Sequence, residues 1–325
     1  MIRRAMTRRR WCLGGAALAL TVPLAGCVTV HGERAKIPSL RPAEAAQVLA
    51  HFASVNNAAA KAYDEQLIGS IEAGPLGEID RAGVRARHAN NPKGNPSFKP
   101  LVLSDARFLI PEQRGWPKFF VADTATNRGD SRWLLVFRRG AAGQPWKADF
   151  LAMAQPGQLP DFAVDKDGHA AAVPLAGTEL LVQPGQLSAE YIAYLRDGKG
   201  SVFAPGAATT ELIDSRKDHM KTADSVTQYA DQPADGDDFT PVALRTKDGG
   251  AVVFFSTRHQ ARSTYREGYR LTIDADTKAL MAGDPKTSVT LARVGQETVT
   301  VPPAGGSAKV AFVSRLVGLV SAKGE

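Results

Sequence analysis

Three arginines spaced four apart, Arg258, Arg262 and Arg266, fall in the run "VVFFSTRHQARSTYRE", with Gln260 and Thr264 between them. On a β-strand, even spacing places all five side chains on one face, while Phe255, His259, Ala261 and Tyr265 take the other. Three guanidiniums in a row suit bidentate recognition of a carboxylate, a phosphate or an acidic polymer. The same pattern also serves as a charged outward face that protects a sheet edge from aggregation. Other chemistry-bearing residues are dispersed. Asp218 and His219 adjoin in "RKDHM", but neighbours on a helix point about 100° apart and form no dyad. His51 sits beside Phe52 and reads as packed or partly exposed. The six histidines, at 31, 51, 88, 169, 219 and 259, have no metal-ligand spacing. HExxH, GxSxG and phosphate-loop patterns are missing from the sequence.

Two acidic stretches could suggest calcium. In residues 274–284, "DADTKALMAGD", Lys278 stands where an oxygen ligand belongs, and the required Gly and terminal Glu are missing. Residues 231–239, "DQPADGDDF", read as a solvated acidic loop. Trp116, Trp133 and Trp146 lie in strand-like runs and either line a pocket in a curved sheet or fill its core. No catalytic residue, metal or cofactor is expected.

The N-terminus carries a different chemistry. Arg3, Arg4, Arg8, Arg9 and Arg10 precede an apolar stretch from Trp11 to Val22, followed by "LAGC" at residues 24–27. A basic n-region, a short apolar h-region and small residues before a cleavage point are the anatomy of an export signal. The apolar stretch is too short to span a bilayer, which takes about 20 residues. Leu24, Ala25, Gly26 and Cys27 match the bacterial lipobox position by position. That resemblance implies cleavage between Gly26 and Cys27, with a diacylglyceryl group on the Cys27 sulfur. Two acyl chains anchor a soluble body where one is marginal, because each buried methylene contributes about 0.8 kcal/mol. "TRRRWCL" resembles a twin-arginine export motif through Arg8 and Arg9, though Cys12 and Leu13 depart from it, and ordinary secretion fits the basic n-region equally well.

The formal charge of +7 is mostly a property of this leader. Without its five arginines, 35 basic groups face 33 acidic ones, too balanced for a nucleic-acid footprint. The only cysteines are Cys12 and Cys27, so the exported body has no disulfide and must be held by core burial. Residues 27–40 read as the lipidated cysteine and a polar tether.

Beyond the tether, residues 41–72 carry apolar side chains at Val48, Phe52, Val55, Ala59, Tyr63, Leu67 and Ile71, the stripe of one long amphipathic helix ending at "AGPLG". Short β-like runs follow, among them "RWLLVFRRG", "WKADFLAMA" and "FAVDKDGHAAAV", separated by turns. After "VQPGQ" the order repeats. "LSAEYIAYLRDG" and "TTELIDSRKDHMKTADSVTQYA" read as helices, and "AVVFFSTRHQARSTY", "YRLTIDA", "SVTLARVGQETVTV" and "KVAFVSRLVGLVSA" as strands. The expectation is an α+β protein of two repeated units, 41–183 and 184–325, each a helix followed by an antiparallel curved sheet.

The lipobox, "LRPAEAAQVLAHF" opening the first unit, "WLLVFRRGAAGQPWKADF" as its hairpin, and "VVFFSTRHQA" with "VTVPPAGGSAKVAFVS" in the second resemble actinobacterial surface lipoproteins of unknown function, built from two cystatin-like or NTF2-like units. The resemblance implies a body lipid-anchored at the outer face of the cytoplasmic membrane. The expected role is non-catalytic, a binding module for a surface protein or a small or acidic ligand. The alternative is an exported enzyme using Asp/His acid–base chemistry in a pocket of one unit.

Overall fold

A computed structural model describes residues 35–325 apart from Asp235. The short strand β1 (Ile37–Pro38) leads into three helices, α1 (Pro42–Ala62), α2 (Glu65–Ile71) and α3 (Gly74–Asn90). The apolar stripe expected of one continuous helix is therefore interrupted. Tyr63 takes the left-handed region at φ 54°, and the Asp64 carboxylate accepts the backbone N–H groups of Gln66 and Leu67, starting a new helix. "AGPLG" is likewise a start as well as a stop, because Pro75 sits in the first turn of α3, where a missing N–H costs nothing.

The first sheet is an antiparallel meander in the order β2 (Leu103–Leu109), β4 (Lys118–Thr126), β5 (Arg132–Arg139) and β6 (Lys147–Ala154), while β3 (Glu112–Gln113) pairs with β1. Residues 162–173, expected as a strand, make only isolated bridges, such as Phe162 to Thr246 and Ala172 to Leu244. A second set of elements opens with α4 (Leu187–Asp197) and α5 (Thr210–Met220). The expected long second helix ends at Met220, and its β-branched continuation forms β7 (Ser225–Pro233). The second sheet then takes β8 (Val242–Arg245), β9 (Ala251–Tyr265), β10 (Met281–Ala282), β11 (Ser288–Val301) and β12 (Ala311–Gly324), in the order β10-β12-β11-β9-β7 with β8 also on β9. α6 (Ala275–Ala279) precedes β10, and "YRLTIDA" is irregular rather than a strand. The protein is thus mixed helix and sheet, with its long strand pairs antiparallel.

Alternation along the strands sorts the core into three layers. From the first sheet, Phe120, Ala122, Leu135, Phe137 and Ala148 meet Ala45, Leu49 and Phe52 of α1. Their strand neighbours Phe119, Val121, Leu134, Val136, Phe150 and Ala152 point the other way, onto Val242, Leu244, Val252, Phe254 and Val313 of the second sheet. The far face of that sheet, with Val253, Phe255, Val299 and Val301, is covered by Leu187, Tyr191 and Leu195 of α4 and by Ile213 of α5. Helices, sheet, sheet and helices stack in that order. Each sheet is covered on both faces, which accounts for the unbroken apolar runs "FFVA", "LLVF" and "VVFF".

Polar bonds cross the sheet-to-sheet seam as well. Leu151 N donates to Gln296 Oε1 at 2.8 Å and Met153 N to Ser314 Oγ at 3.1 Å. Arg138 reaches from β5 to the carbonyl oxygens of Asp237 (2.8 Å) and Thr240 (2.5 Å), while Asp149 holds its Nε at 2.7 Å.

Phe254 fills the seam from the second sheet, whereas Trp116, Trp133 and Trp146 all lie in the first half. Phe254→Ala should therefore cost about 3–5 kcal/mol and lower by that amount the unfolding free energy read from the tryptophan-monitored transition of the other half. An unmoved tryptophan transition would show that the halves unfold separately.

Candidate functional site

The helix-covered face of the second sheet changes character along its length. On β9 the side chains of Val253 and Phe255 are followed on the same face by Thr257 and His259. Register brings their partners to them: Asp231 of β7 lies opposite His259, Gly295 of β11 opposite Thr257, and Glu297 of β11 opposite Arg315 of β12. Arg216 of α5 closes the row from above.

These residues form one continuous polar chain. Arg216 clamps Asp231 with two bonds, Nη1 to Oδ2 at 2.5 Å and Nη2 to Oδ1 at 3.1 Å. Asp231 Oδ1 accepts from His259 Nδ1 at 2.7 Å. His259 Nε2 is 2.8 Å from Thr257 Oγ1, which donates to Glu297 Oε1 at 2.8 Å. Arg315 ends the row, its Nη2 at 3.2 Å from His259 Nε2 and its Nε at 3.7 Å from Glu297 Oε1. Glu297 and Thr257 are wholly buried and His259 is 6% exposed. Gly295 is required here, because a Cβ on it would come within 2.3 Å of Glu297 Oε1 and 2.8 Å of Thr257 Oγ1.

Charge alternates along the row. Burial pushes the His259 pKa down, but hydrogen bonds with Asp231 and Glu297 push it up further, so it lies above the ordinary 6.5. Burial likewise raises Asp231, and the hydrogen bonds from His259 and Arg216 outweigh it, leaving the carboxyl below its ordinary 3.8. The row thus sets His259 between two acidic side chains, Asp231 and Glu297, each of them beside an arginine. Tyr191 of α4 lies over this end with its hydroxyl donated to Ala208 O at 2.5 Å, and burial raises its pKa.

Carboxylate, imidazole and hydroxyl in sequence is the order of an acid–base relay to a nucleophile. Here the hydroxyl is sealed, and its proton is directed to Glu297 rather than held by the imidazole. Solvent meets only the ends of the row. Arg216 and Asp231 line a cleft of about 660 Å³ with Leu195, Ile213, Met220 and Tyr229. Arg315 lines another of about 470 Å³ with Thr209, Phe312 and Gln158.

The residues singled out in the sequence fall elsewhere. Arg258 makes a bidentate pair with Glu78 of α3, 2.9 Å for both bonds, over the ring of Phe239 at 4.5 Å. Arg262 binds Glu325 at 2.8 Å and Arg266 binds Asp224 at 2.6 Å. An external anion has to displace these carboxylates to use the stripe. His219 bonds Ser215 O on its own helix at 2.6 Å and His51 is exposed on α1. Trp146 is buried against Phe120, Trp133 is half-buried and Trp116 is exposed. Among the described residues, no group of three or more His, Cys, Asp or Glu side chains could hold a metal ion. Asp274 instead caps α6 through Thr277 N at 2.8 Å. Arg8, Arg9, Gly26 and Cys27 lie outside the described residues.

The polar row determines a pH profile. A raised His259 pKa contributes stability that is fully present below about 6.5 and is lost as pH rises through the folded-state value. The depressed Asp231 pKa contributes stability above about 3.8 that is lost as pH falls through the folded-state value. Urea titrations should show stability declining on the alkaline side of 6.5, and His259→Asn should flatten that decline. Glu297→Ala leaves His259 and Arg315 without their buried counter-charge and should cost about 3–5 kcal/mol. A loss below about 1 kcal/mol would mean that the row is not a structural unit.

No solved structure matches this chain. Among the described residues, no helix is long and apolar enough to cross a membrane. The chain is 44% identical over 313 residues to an uncharacterised lipoprotein of Streptomyces avermitilis, covering 96% of this chain and 94% of that protein. It is also 44% identical over 315 residues to an uncharacterised lipoprotein of Streptomyces coelicolor, with the same coverage. A second lipoprotein of Streptomyces coelicolor is 28% identical over 303 residues, 88% of this chain and 82% of its own length. The profile described as "Domain of unknown function (DUF8094)" matches residues 36–324, so the chain belongs to the DUF8094 family.

Proposed function

We propose that this protein is a lipid-anchored lipoprotein held at the outer face of the cytoplasmic membrane by a diacylated Cys27, its leader removed after Gly26. Its body is then a non-catalytic binding module of two cystatin-like or NTF2-like units, residues 41–183 and 184–325. The anchoring half of this reading is supported by the Leu24-Ala25-Gly26-Cys27 motif together with relatives that are lipoproteins along nearly the whole chain.

The observation that carries the non-catalytic half is the closure of the polar row. His259 has both ring nitrogens engaged by protein groups, and the one hydroxyl it touches is fully buried. A reacting group needs an approach path and a convergent, accessible pocket. The accessible clefts instead suit recognition. The larger one is lined by Arg196, Lys199, Arg216 and Lys217 together with Asp197 and Asp231. Arg196, Arg216 and Lys217 are paired with Asp197, Asp231 and Asp214, so a small acidic ligand would meet Lys199 and compete with those carboxylates for the rest.

One observation favours a second reading, an exported enzyme. Asp231 reaches the 660 Å³ cleft while bonded to His259, the pairing that acid–base catalysis uses. An ester or amide substrate turned over by the parent, but not by a His259→Asn variant of unchanged stability, would establish that reading.

Mass spectrometry of the mature protein tests the anchor. The N-terminal peptide should begin at Cys27 and carry the mass of a diacylglyceryl group, and Cys27→Ala should move the protein out of the membrane fraction. A free thiol at Cys27, or a chain still beginning at Met1, contradicts it.

A further inference from the structure

The end of the first unit where the chain emerges from its tether is unlike the rest of the surface. Ile37 and Pro38 pair in register with Gln113 and Glu112, so residues 36–41 and 112–118 form one patch. Ser39 fastens it by donating to Pro111 O at 2.8 Å. Two large apolar side chains stand exposed on it, Ile37 at 49% and Trp116 at 39%. Around them lie Lys36, Arg41 and Arg114, all exposed, with Lys118 and Arg139 beneath.

The underlying charges are held towards the indole. Lys118 Nζ lies 5.7 Å from the Trp116 ring centre and the Arg139 guanidinium 5.1 Å from it, Arg139 also covering Trp146 at 4.6 Å. Lys118 and Arg139 are direct cross-strand partners, an arrangement in which like charges repel. Arg139 has Glu44 at 3.7 Å. Lys118 has no ion-pair partner among the described residues and is held only by long contacts to the carbonyls of Ile37 (3.3 Å) and Gln113 (3.4 Å). Burial and the neighbouring Arg139 push its pKa below the usual lysine value, as expected of an ammonium lacking a counter-ion. Five cations face Glu44 and Glu112 in this patch, whereas the body as a whole is nearly neutral.

An exposed indole and an exposed isoleucine ringed by Lys and Arg match a lipid–water interface, where the apolar groups enter the headgroup layer and the cations meet phosphates. The chain dictates which face can do this. Ten residues separate Cys27 from Ile37, and an extended chain covers at most about 3.6 Å per residue, so a lipid-anchored sulfur keeps Ile37 within roughly 36 Å of the bilayer. We propose that Lys36, Ile37, Arg41, Arg114 and Trp116 form a membrane-contact surface that binds the anionic headgroups of a phospholipid leaflet and sets the orientation of the body on it. The inference builds on the lipid-anchored reading, but its chemistry is carried by the patch and can be measured without the anchor.

The test uses the mature chain, residues 27–325, with Cys27→Ala, so that no acyl chain contributes. Sedimentation with vesicles of phosphatidylglycerol and phosphatidylcholine in equal parts should show binding that pure phosphatidylcholine does not support and that rising salt removes. Each basic residue near an anionic leaflet contributes about five-fold in partition, so changing Lys36, Arg41 and Arg114 together to Gln should weaken binding by roughly 100-fold. The equivalent change at Lys247, Lys278 and Lys309, exposed on the second unit, should have little effect. Vesicle addition should also shift the tryptophan emission to the blue, and Trp116→Phe should abolish the shift. Equal binding to neutral and anionic vesicles, a triple variant that binds like its parent, or no binding at all would overturn the proposal. None of those results touches the anchor, which the mass of the N-terminal peptide decides separately. Capture of a protein partner by this patch, with vesicles ignored, would equally overturn the lipid assignment.

Discussion

The seam between the two sheets sets the terms for everything else in this molecule. Phe119, Val121, Leu134, Val136 and Phe150 on one side meet Val242, Val252, Phe254 and Val313 on the other, and no helix stands between them. A sheet buried on both faces leaves its central strands no solvent side. Polar groups within it must then find partners in the protein or go to the strand ends. α1 lies in one outer layer and α4 with α5 in the other, while α3 packs against β6 of the first sheet and β12 of the second. With no cysteine in the described residues to brace the layers, this burial is the means by which they are held.

The row from Arg216 to Arg315 is the exception to that apolar rule, and its geometry shows how it is tolerated. Five polar side chains occupy one end of a face that is otherwise Val and Phe, joined by Arg216 of α5, and each is hydrogen-bonded to at least one other. Removing a single partner strands a buried charge, which makes the row a constraint on register across β7, β9, β11 and β12. Glu297 Oε2 and Arg315 Nε have no hydrogen-bond partner among the described residues. They mark the end of the row nearest the Arg315 cleft. Accessible polar groups lie at the margins: in the clefts at the row's two ends, and in the basic, Trp-bearing patch of residues 36–41 and 112–118.

Much of the architecture was legible in the residues. The Gly and Pro turns, the first part of the helical stripe through Phe52, Val55 and Ala59, and the β-branched runs of β9 and β11 all point to antiparallel α+β structure. What escaped has physical causes. Asp64 breaks a stripe that hydrophobic spacing alone reads as continuous, and Pro75 marks a beginning as readily as an end. "LLVF" shows that β5 is buried on both sides but does not say whether a helix or another sheet covers it. "YRLTIDA" has strand-like residues but no ladder, and Tyr269 stacks on Tyr265 instead, at 5.2 Å. The polar row was the least visible of all, since its members are spread from residue 216 to residue 315 and only sheet register unites them. Its single trace in the sequence is charge within apolar strands, Glu297 in "VGQETV" and Arg315 in "FVSRLV".

Native-state hydrogen exchange on the body tests the shared seam most directly, because it reads the opening free energy of each strand separately. The slowest amides of β4 and β5, in the first half, should exchange with the same free energy as those of β9 and β11 in the second, and all should fall together in mild denaturant. Two separate plateaus, one for strands before residue 183 and another for those after it, would contradict a single core built across the two sheets.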